Sequence, residues 1–225
     1  MASIADAYIN DAFGTCHRAH ASVSGVPSKM PADLIGIGCL VSSEVSYLDF
    51  SELEEGASIT AIIGGSKVST KLPVITGLLD TVHTLVLAGG LAFTFIKAQG
   101  ISVGNSLVED SMLETAMQIL EDAKTKGKRI VLPVDAVCSE SFPKGPMDIK
   151  DTKTFDLAAG DGIPDGWMGL DVGPQSVSLL KEALEKSTKI VFNGKSRFLI
   201  PRIKSKKKFT CYSFFPFLCR SIGSI

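Results

Sequence analysis

The sequence predicts an α/β fold, a parallel sheet covered by helices on both faces. Three observations lead to it. Short, continuous apolar runs at residues 58–63, 84–88, 129–133 and 189–192 have the length and the β-branched content of strands buried on both faces. Segments with helical apolar spacing separate them. Three of these four runs stop at Gly64-Gly65, Gly89-Gly90 and Asn193-Gly194, the punctuation expected where a strand turns into the next element.

Taken in order, residues 1 to about 30 read as a short helix end followed by a turn over 13–21. Residues 31–57 hold a possible strand at 34–41 and an acidic connector ending at Glu54-Glu55-Gly56. After the strand at 58–63, residues 72–82 have helical spacing, with Pro73 tolerable because it falls in the first turn. The strand at 84–88 leads into a helix over 91–99. Ser111-Met112-Leu113-Glu114 has the form of a capping box opening a helix to about Lys126. The strand at 129–133, a helix at 176–186 and the strand at 189–192 complete the pattern.

Composition narrows the function. At 225 residues, with 45% hydrophobic and 21% charged, the chain is an ordinary globular protein of one large domain or two small ones. The five cysteines are scattered, with no CxxC pair, so neither a zinc site nor a disulfide framework is predicted, and a reducing compartment fits. The net charge of −1 hides a break. Residues 195–225 carry eight basic and no acidic side chains, whereas the first 194 carry 15 basic against 24 acidic, a net of −9. Lys206-Lys207-Lys208 with the following aromatics lacks the spacing of a nucleic-acid or membrane-surface segment, so neither partner is predicted. The first residues do not read as a secretory leader, and no apolar run reaches membrane-spanning length.

In open parallel sheets the ligand crevice lies outside the carboxyl ends of the strands. Glycine turns there let backbone N–H groups approach a ligand, and helix N-termini behind them favour anions. A phosphate-bearing ligand follows. Gly64-Gly65-Ser66-Lys67, with Lys71 four residues on, puts two ammonium groups on one such turn. It is not a Walker A loop, and an isolated GGxK is more often a turn with two solvated lysines. Gly89-Gly90 alone is equally consistent with tight packing of strand on helix. Arg18 presents a planar fork suited to phosphate or carboxylate, between His17 and His20, which read equally as structural residues. Phe93 and Phe95 read as core, and His83 as a surface residue.

Four blocks carry a resemblance: Asn10-Asp11-Ala12-Phe13-Gly14-Thr15-Cys16-His17-Arg18-Ala19-His20, then Gly64 to Lys71, then Gly89-Gly90-Leu91-Ala92-Phe93-Thr94-Phe95, then Pro164-Asp165-Gly166-Trp167-Met168-Gly169-Leu170-Asp171. In this order they resemble the phosphoglycerate kinases, and Lys97-Ala98-Gln99-Gly100 is similar in wording to plant members. The resemblance covers residues 1–194, the middle of a family member about twice this length. It implies a partial doubly wound parallel sheet, a Rossmann-like nucleotide-binding domain over 58–194. With it come a remnant of a second α/β domain over 1–40, a connector over 41–57 and a non-family tail over 195–225.

The activity implied is reversible phosphoryl transfer between 1,3-bisphosphoglycerate and ADP, giving 3-phosphoglycerate and ATP, with Mg2+ accompanying the nucleotide. Lys67 and Lys71 would be catalytic. Gly64, Gly65, Ser66, Gly89, Gly90, Gly169, Leu170 and Asn193 would join them in holding ADP or ATP. Arg18, His17 and His20 would bind the phosphoglycerate, and no side chain is assigned to a metal. Partners would be these small molecules, family members being usually monomeric. The location implied is the cytoplasm, or a plastid if the N-terminus continues upstream. The family's DxNxP and GGGDT segments have no counterpart here, so impaired turnover is expected. A catalytically silent nucleotide-binding remnant and a non-functional gene-model fragment stay open as alternatives.

Overall fold

The computed structural model describes residues 1–50, 56–142, 152–158 and 161–194, together with the backbone of 209–212. The chain divides into two compact units, Met1–Glu54 and Glu55–Ile225. The expected acidic run Glu54-Glu55 and the lysine run at 206–208 lie outside the described residues.

The first unit is a small α/β arrangement. Strand β1 (Tyr8–Asn10) pairs in parallel with β2 (Ile35–Ile37), and helix α1 (Cys39–Leu48) follows. A strand expected over 34–41 is therefore cut to three residues, and the rest belongs to a helix that the sequence reading lacks. The cause is local. The Asp11 carboxylate accepts the Val41 N–H at 3.0 Å and so satisfies a first-turn amide of α1. Asp11 comes so close that a Cβ on Gly38 would lie 2.2 Å from its Cγ. Val41 is the one buried hydrophobic side chain among the described residues of this unit.

The second unit is built on a five-stranded parallel sheet. Its strands are β3 (Ile59–Gly64), β4 (Thr84–Ala88), β5 (Arg129–Val131), β9 (Lys189–Asn193) and β10 (Phe209–Tyr212), in the spatial order β10-β9-β3-β4-β5. The four expected strands are all present, each close to its predicted bounds. Helices α2 (Leu72–Thr81), α3 (Gly90–Ala98), α4 (Leu113–Thr125) and α5 (Pro174–Glu185) lie between them in sequence. Pro73 falls in the first turn of α2, as its missing N–H requires.

Chain order sets which face each helix covers. From β3 the chain steps sideways to β4 and β5, then reverses to place β9 on the other side of β3. With right-handed crossovers, a reversal moves the connecting helix to the opposite face. Packing agrees: Leu180, Ala183 and Leu184 of α5 form one core with Ile62, Val86, Ala88, Ile190 and Phe192. Strand alternation turns Ala61, Ile63, Leu85 and Leu87 to the other face, where they are equally buried. The sheet is doubly wound, and its topological switch point lies between β3 and β9.

A second sheet was not foreseen. Strands β6 (Asp135–Ser139), β7 (Lys153–Asp156) and β8 (Met168–Val172) form an antiparallel sheet in the order β7-β6-β8, with a register shift at Val137/Cys138. It packs on α3 through Phe93, Ile96, Ala136, Cys138 and Leu157. Burial pushes the Cys138 thiol up to about 11, which keeps it protonated. The N-terminus of α5 is tied to this sheet. Asp135, 1% exposed, accepts the Gln175 N–H at 2.9 Å and the Ser176 N–H at 2.7 Å, so two first-turn amides meet a buried carboxylate.

One further expectation is corrected. The capping box at 111–114 does not form. The chain enters α4 through a 3-10 turn at Asp110–Met112, which places Ser111 inside the turn, and no side chain caps the helix. The tail, read from sequence as unlike the family, contributes β10, paired in parallel with β9 from Phe209 opposite Ile190 to Tyr212 opposite Asn193. The β9 edge is thereby hydrogen-bonded.

Candidate functional site

Register brings the three glycine turns together. Gly64 pairs with Ala88 and Ile63 with Asn193, so β9, β3 and β4 end at one level. Adjacent strands are about 4.8 Å apart, so the turns at Gly64-Gly65, Gly89-Gly90 and Asn193-Gly194 fall within about 10 Å across the sheet. This is the carboxyl end of the sheet, and it includes the switch point.

Glycine is required at two of these turns. Gly89 has φ +74°, and a Cβ there would lie 2.9 Å from the Gly65 carbonyl oxygen. Gly194 has φ +139°, and a Cβ would fall 2.0 Å from the Gly64 oxygen. The backbones pass one another too closely for any side chain, so the turns form a floor of main-chain groups. Leu91 N–H donates to the Gly65 oxygen at 3.0 Å, which links the first turn to the start of α3.

The loop from Gly65 to Lys71 joins β3 to α2. Val68 is fully buried and anchors it, while Ser66 and Lys67 are exposed. The Thr70 hydroxyl donates to the Lys67 oxygen and the Lys71 N–H to the Val68 oxygen, closing a turn that sets Lys71 at the helix entry. The Lys71 ammonium donates to Asn193 Oδ1 at 2.6 Å. This contact spans the switch point, from the turn after β3 to the last residue of β9. Burial lowers the Lys71 pKa from its ordinary 10.5, because a partly desolvated ammonium is less favoured.

Glu109 stands beside the same loop and was passed over in the sequence. Its carboxylate accepts the Ser69 N–H at 3.0 Å and the Ser69 hydroxyl at 2.6 Å. An acid 40 residues beyond its partner has no periodic signature, so nothing in the sequence marks it.

Gly169 and Leu170, also expected at the site, lie on β8 in the antiparallel sheet, both half-buried. A Cβ on Gly169 would sit 2.1 Å from Phe93 Cζ, so this glycine admits the Phe93 ring of α3. Its N–H donates to Ser106 Oγ at 2.9 Å. Phe93 and Phe95 are core residues, 6% and 0% exposed, as the sequence suggests. Trp167 is half-buried, edge-on to Phe155 with ring centroids 5.3 Å apart, and the Lys153 ammonium lies 4.9 Å from its ring centre. His83 is exposed, yet its Nδ1 accepts the Ile59 N–H at 3.2 Å, so it also helps fix the start of β3.

In the first unit, His17, Arg18 and His20 are all exposed. Arg18 Nε donates to His17 Nε2 at 3.1 Å, which requires that ring nitrogen to be unprotonated. The Arg18 N–H donates to the Thr15 oxygen, and the Val23 and Ser24 N–H groups to the His20 oxygen, so the polar block is a chain of short turns.

Magnesium prefers oxygen ligands, usually one or two carboxylates together with substrate phosphates. Among the described residues no group of three or more His, Cys, Asp or Glu is placed to hold a metal ion. At the turns, both Glu109 oxygens are already engaged by Ser69. The described residues at these turns therefore do not fit a resident magnesium site.

Comparison with known proteins bears on this geometry. The family model described as phosphoglycerate kinase matches residues 1–196. The cytosolic phosphoglycerate kinase 3 of Arabidopsis thaliana is 45% identical over 194 residues, covering 86% of this chain and 46% of that protein. The phosphoglycerate kinase of Thermosipho africanus is 44% identical over 193 residues, with the same coverage, and the chloroplastic phosphoglycerate kinase 1 of Arabidopsis thaliana is 44% identical. The solved phosphoglycerate kinase of Coxiella burnetii superposes with a TM-score of 0.73 at 35% identity, over 86% of this chain and 48% of that one. The chain spans about half the length of the curated relatives it matches. With the glycine turns, the paired lysines and the doubly wound sheet in place, the family match over nearly the whole described chain means that this protein belongs to the phosphoglycerate kinase family.

Proposed function

We propose that the carboxyl end of the parallel sheet binds the phosphates of ADP or ATP, as the nucleotide-binding part of a phosphoglycerate kinase. The observation that carries this reading is the Lys71–Asn193 contact of 2.6 Å across the switch point. A partly desolvated ammonium, held by a neutral amide and not by a carboxylate, keeps its charge for an incoming anion. The floor of Gly64, Gly65, Gly89, Gly90 and Gly194 lets phosphate oxygens reach backbone N–H groups, and Ser66 and Lys67 stand exposed at its rim. Gly169 and Leu170 would face the base from β8.

In the reaction of the family, a phosphoryl group passes between the acyl phosphate of 1,3-bisphosphoglycerate and the terminal phosphate oxygen of ADP. Such transfer depends on holding donor and acceptor in line and on neutralising charge on the moving oxygens. Lys67 and Lys71 are suited to the second task, and the glycine turns to the first. The exposed Arg18, with His17 and His20, is suited to the carboxylate and phosphate of phosphoglycerate. Mg2+ would enter on the nucleotide phosphates, neutralising part of their charge.

Titration calorimetry of the 225-residue chain with ADP tests the site. ADP is expected to bind, and Lys71→Ala to weaken binding by about tenfold or more, the effect of losing one charge-assisted contact. Equal affinity in the two proteins would remove the switch point from consideration.

A further inference from the structure

Residues 105–109 touch each part of the proposed nucleotide site. Ser106 Oγ accepts the Gly169 N–H of β8 at 2.9 Å. Leu107 packs over Gly90, where a Cβ would lie 3.2 Å from its Cδ2. The Glu109 N–H donates to Thr94 Oγ1 at 3.2 Å, and Thr94 is buried in α3, the helix that starts at Gly90. The Glu109 carboxylate reaches the other way, to the Ser69 N–H and hydroxyl in the lysine-bearing loop. Its backbone is thus fixed to one glycine turn's helix, and its side chain grips the loop of the other.

A carboxylate is an unexpected neighbour for a phosphate site, since its charge repels the ligand. Its contacts suggest why it is tolerated. Burial disfavours its charge, but the Ser69 hydroxyl, the Ser69 and Val68 N–H groups and the nearby Lys67 together hold its carboxyl below the ordinary value. At neutral pH it is an ionised acceptor for the N–H and the hydroxyl of one loop residue, Ser69.

We propose that Glu109 is a positioning residue for nucleotide binding: by gripping Ser69 it fixes the Ser66–Lys71 loop, and with it Lys67 and Lys71, against the Gly89-Gly90 turn. It also occupies the Ser69 amide, so phosphate contacts are directed to the Gly65, Ser66 and Lys67 end of the loop. This role rests on the nucleotide reading above, whereas the grip itself does not.

Positioning and simple charge predict opposite signs. If Glu109 acts only as a nearby negative charge, Glu109→Ala and Glu109→Gln both remove repulsion and both tighten ADP binding. If it positions the loop, Glu109→Ala weakens ADP binding about fivefold to tenfold, the effect of losing one good contact. Glu109→Gln, whose amide can still accept the Ser69 N–H, restores binding to within about twofold of wild type or better. Ser69→Ala, which leaves the acid in place, should weaken binding in the same direction by a smaller factor, and serves if Glu109→Ala folds poorly. Calorimetry with ADP reads these affinities.

Amide hydrogen exchange without nucleotide reads the grip independently. The Ser69 amide should exchange faster in Glu109→Ala and at the wild-type rate in Glu109→Gln. Unchanged exchange in Glu109→Ala, or ADP affinity equal to or tighter than wild type, overturns the proposal. If wild type binds no ADP while exchange at Ser69 still responds, the grip stands, and both the nucleotide reading and the positioning role fall.

Discussion

In the proposed nucleotide site, Lys71 concentrates the chemistry because two requirements meet in one side chain. It must be desolvated enough to attract phosphate strongly, yet have a partner that does not cancel its charge. Asn193 meets both, at 2.6 Å and without a charge of its own. The lowered pKa has a consequence that can be measured. The folded chain releases the Lys71 proton at lower pH than the unfolded chain. Between the folded value and the unfolded value near 10.5 the unfolded state therefore binds more protons, and stability contributed by this group rises with pH. ADP affinity runs the other way, because a neutral amine does not attract phosphate. Titrations at about pH 7.5 and about pH 10 should show weaker ADP binding at the higher pH, beginning below the range of an ordinary lysine. In Lys71→Ala the loss over this interval should shrink, and a loss of equal size in both proteins would assign it to another group.

At the scale of elements, the carboxylates that organise this chain serve helix entries more than ligands. Asp11 meets α1, and Asp135 meets α5. Asp135→Ala would strand two first-turn amides in a buried setting, while the Ser176 hydroxyl keeps its bond to the Asp135 main-chain oxygen. It is expected to cost about 2–4 kcal/mol in urea unfolding, whereas a cost below about 1 kcal/mol would show that water replaces the carboxylate. Such long-range caps also explain what the sequence concealed. The parallel strands were legible because burial on both faces leaves continuous apolar runs, as in residues 59–63, and paired glycines mark their ends. Strands β6 and β8 were not, since Asp135 opens one and Gly169 interrupts the other, and neither shows a simple alternation. The Ser111–Glu114 pattern misled because a local motif says nothing of a preceding 3-10 turn. Lys67, Lys71 and the glycine turns could be read from sequence, but Glu109 could not. Its partnership with Ser69 exists only once α3 carries residues 105–109 back over the loop.

For the whole molecule, the distribution of core explains where stability lies. The second unit buries both faces of its parallel sheet, whereas among the described residues the first buries the hydrophobic side chain of Val41 alone. The β9 side of the parallel sheet is covered by β10, from a segment outside the residues matched by the family. An unpaired strand edge is a template for another chain. A variant ending at Gly194 should therefore self-associate in light scattering at concentrations where the 225-residue chain does not, and a monodisperse truncated monomer would show that β9 needs no cover. Relatives similar to this chain over about half their length carry both cytosolic and chloroplastic names. The central claim is that nucleotide phosphates bind where β3, β4 and β9 end. Backbone amide shifts recorded by NMR during an ADP titration test it most directly. The account predicts saturable shifts concentrated at Gly65, Ser66, Lys67, Gly89, Gly90 and Gly194. Saturable shifts centred elsewhere, with these six amides unmoved, would contradict it.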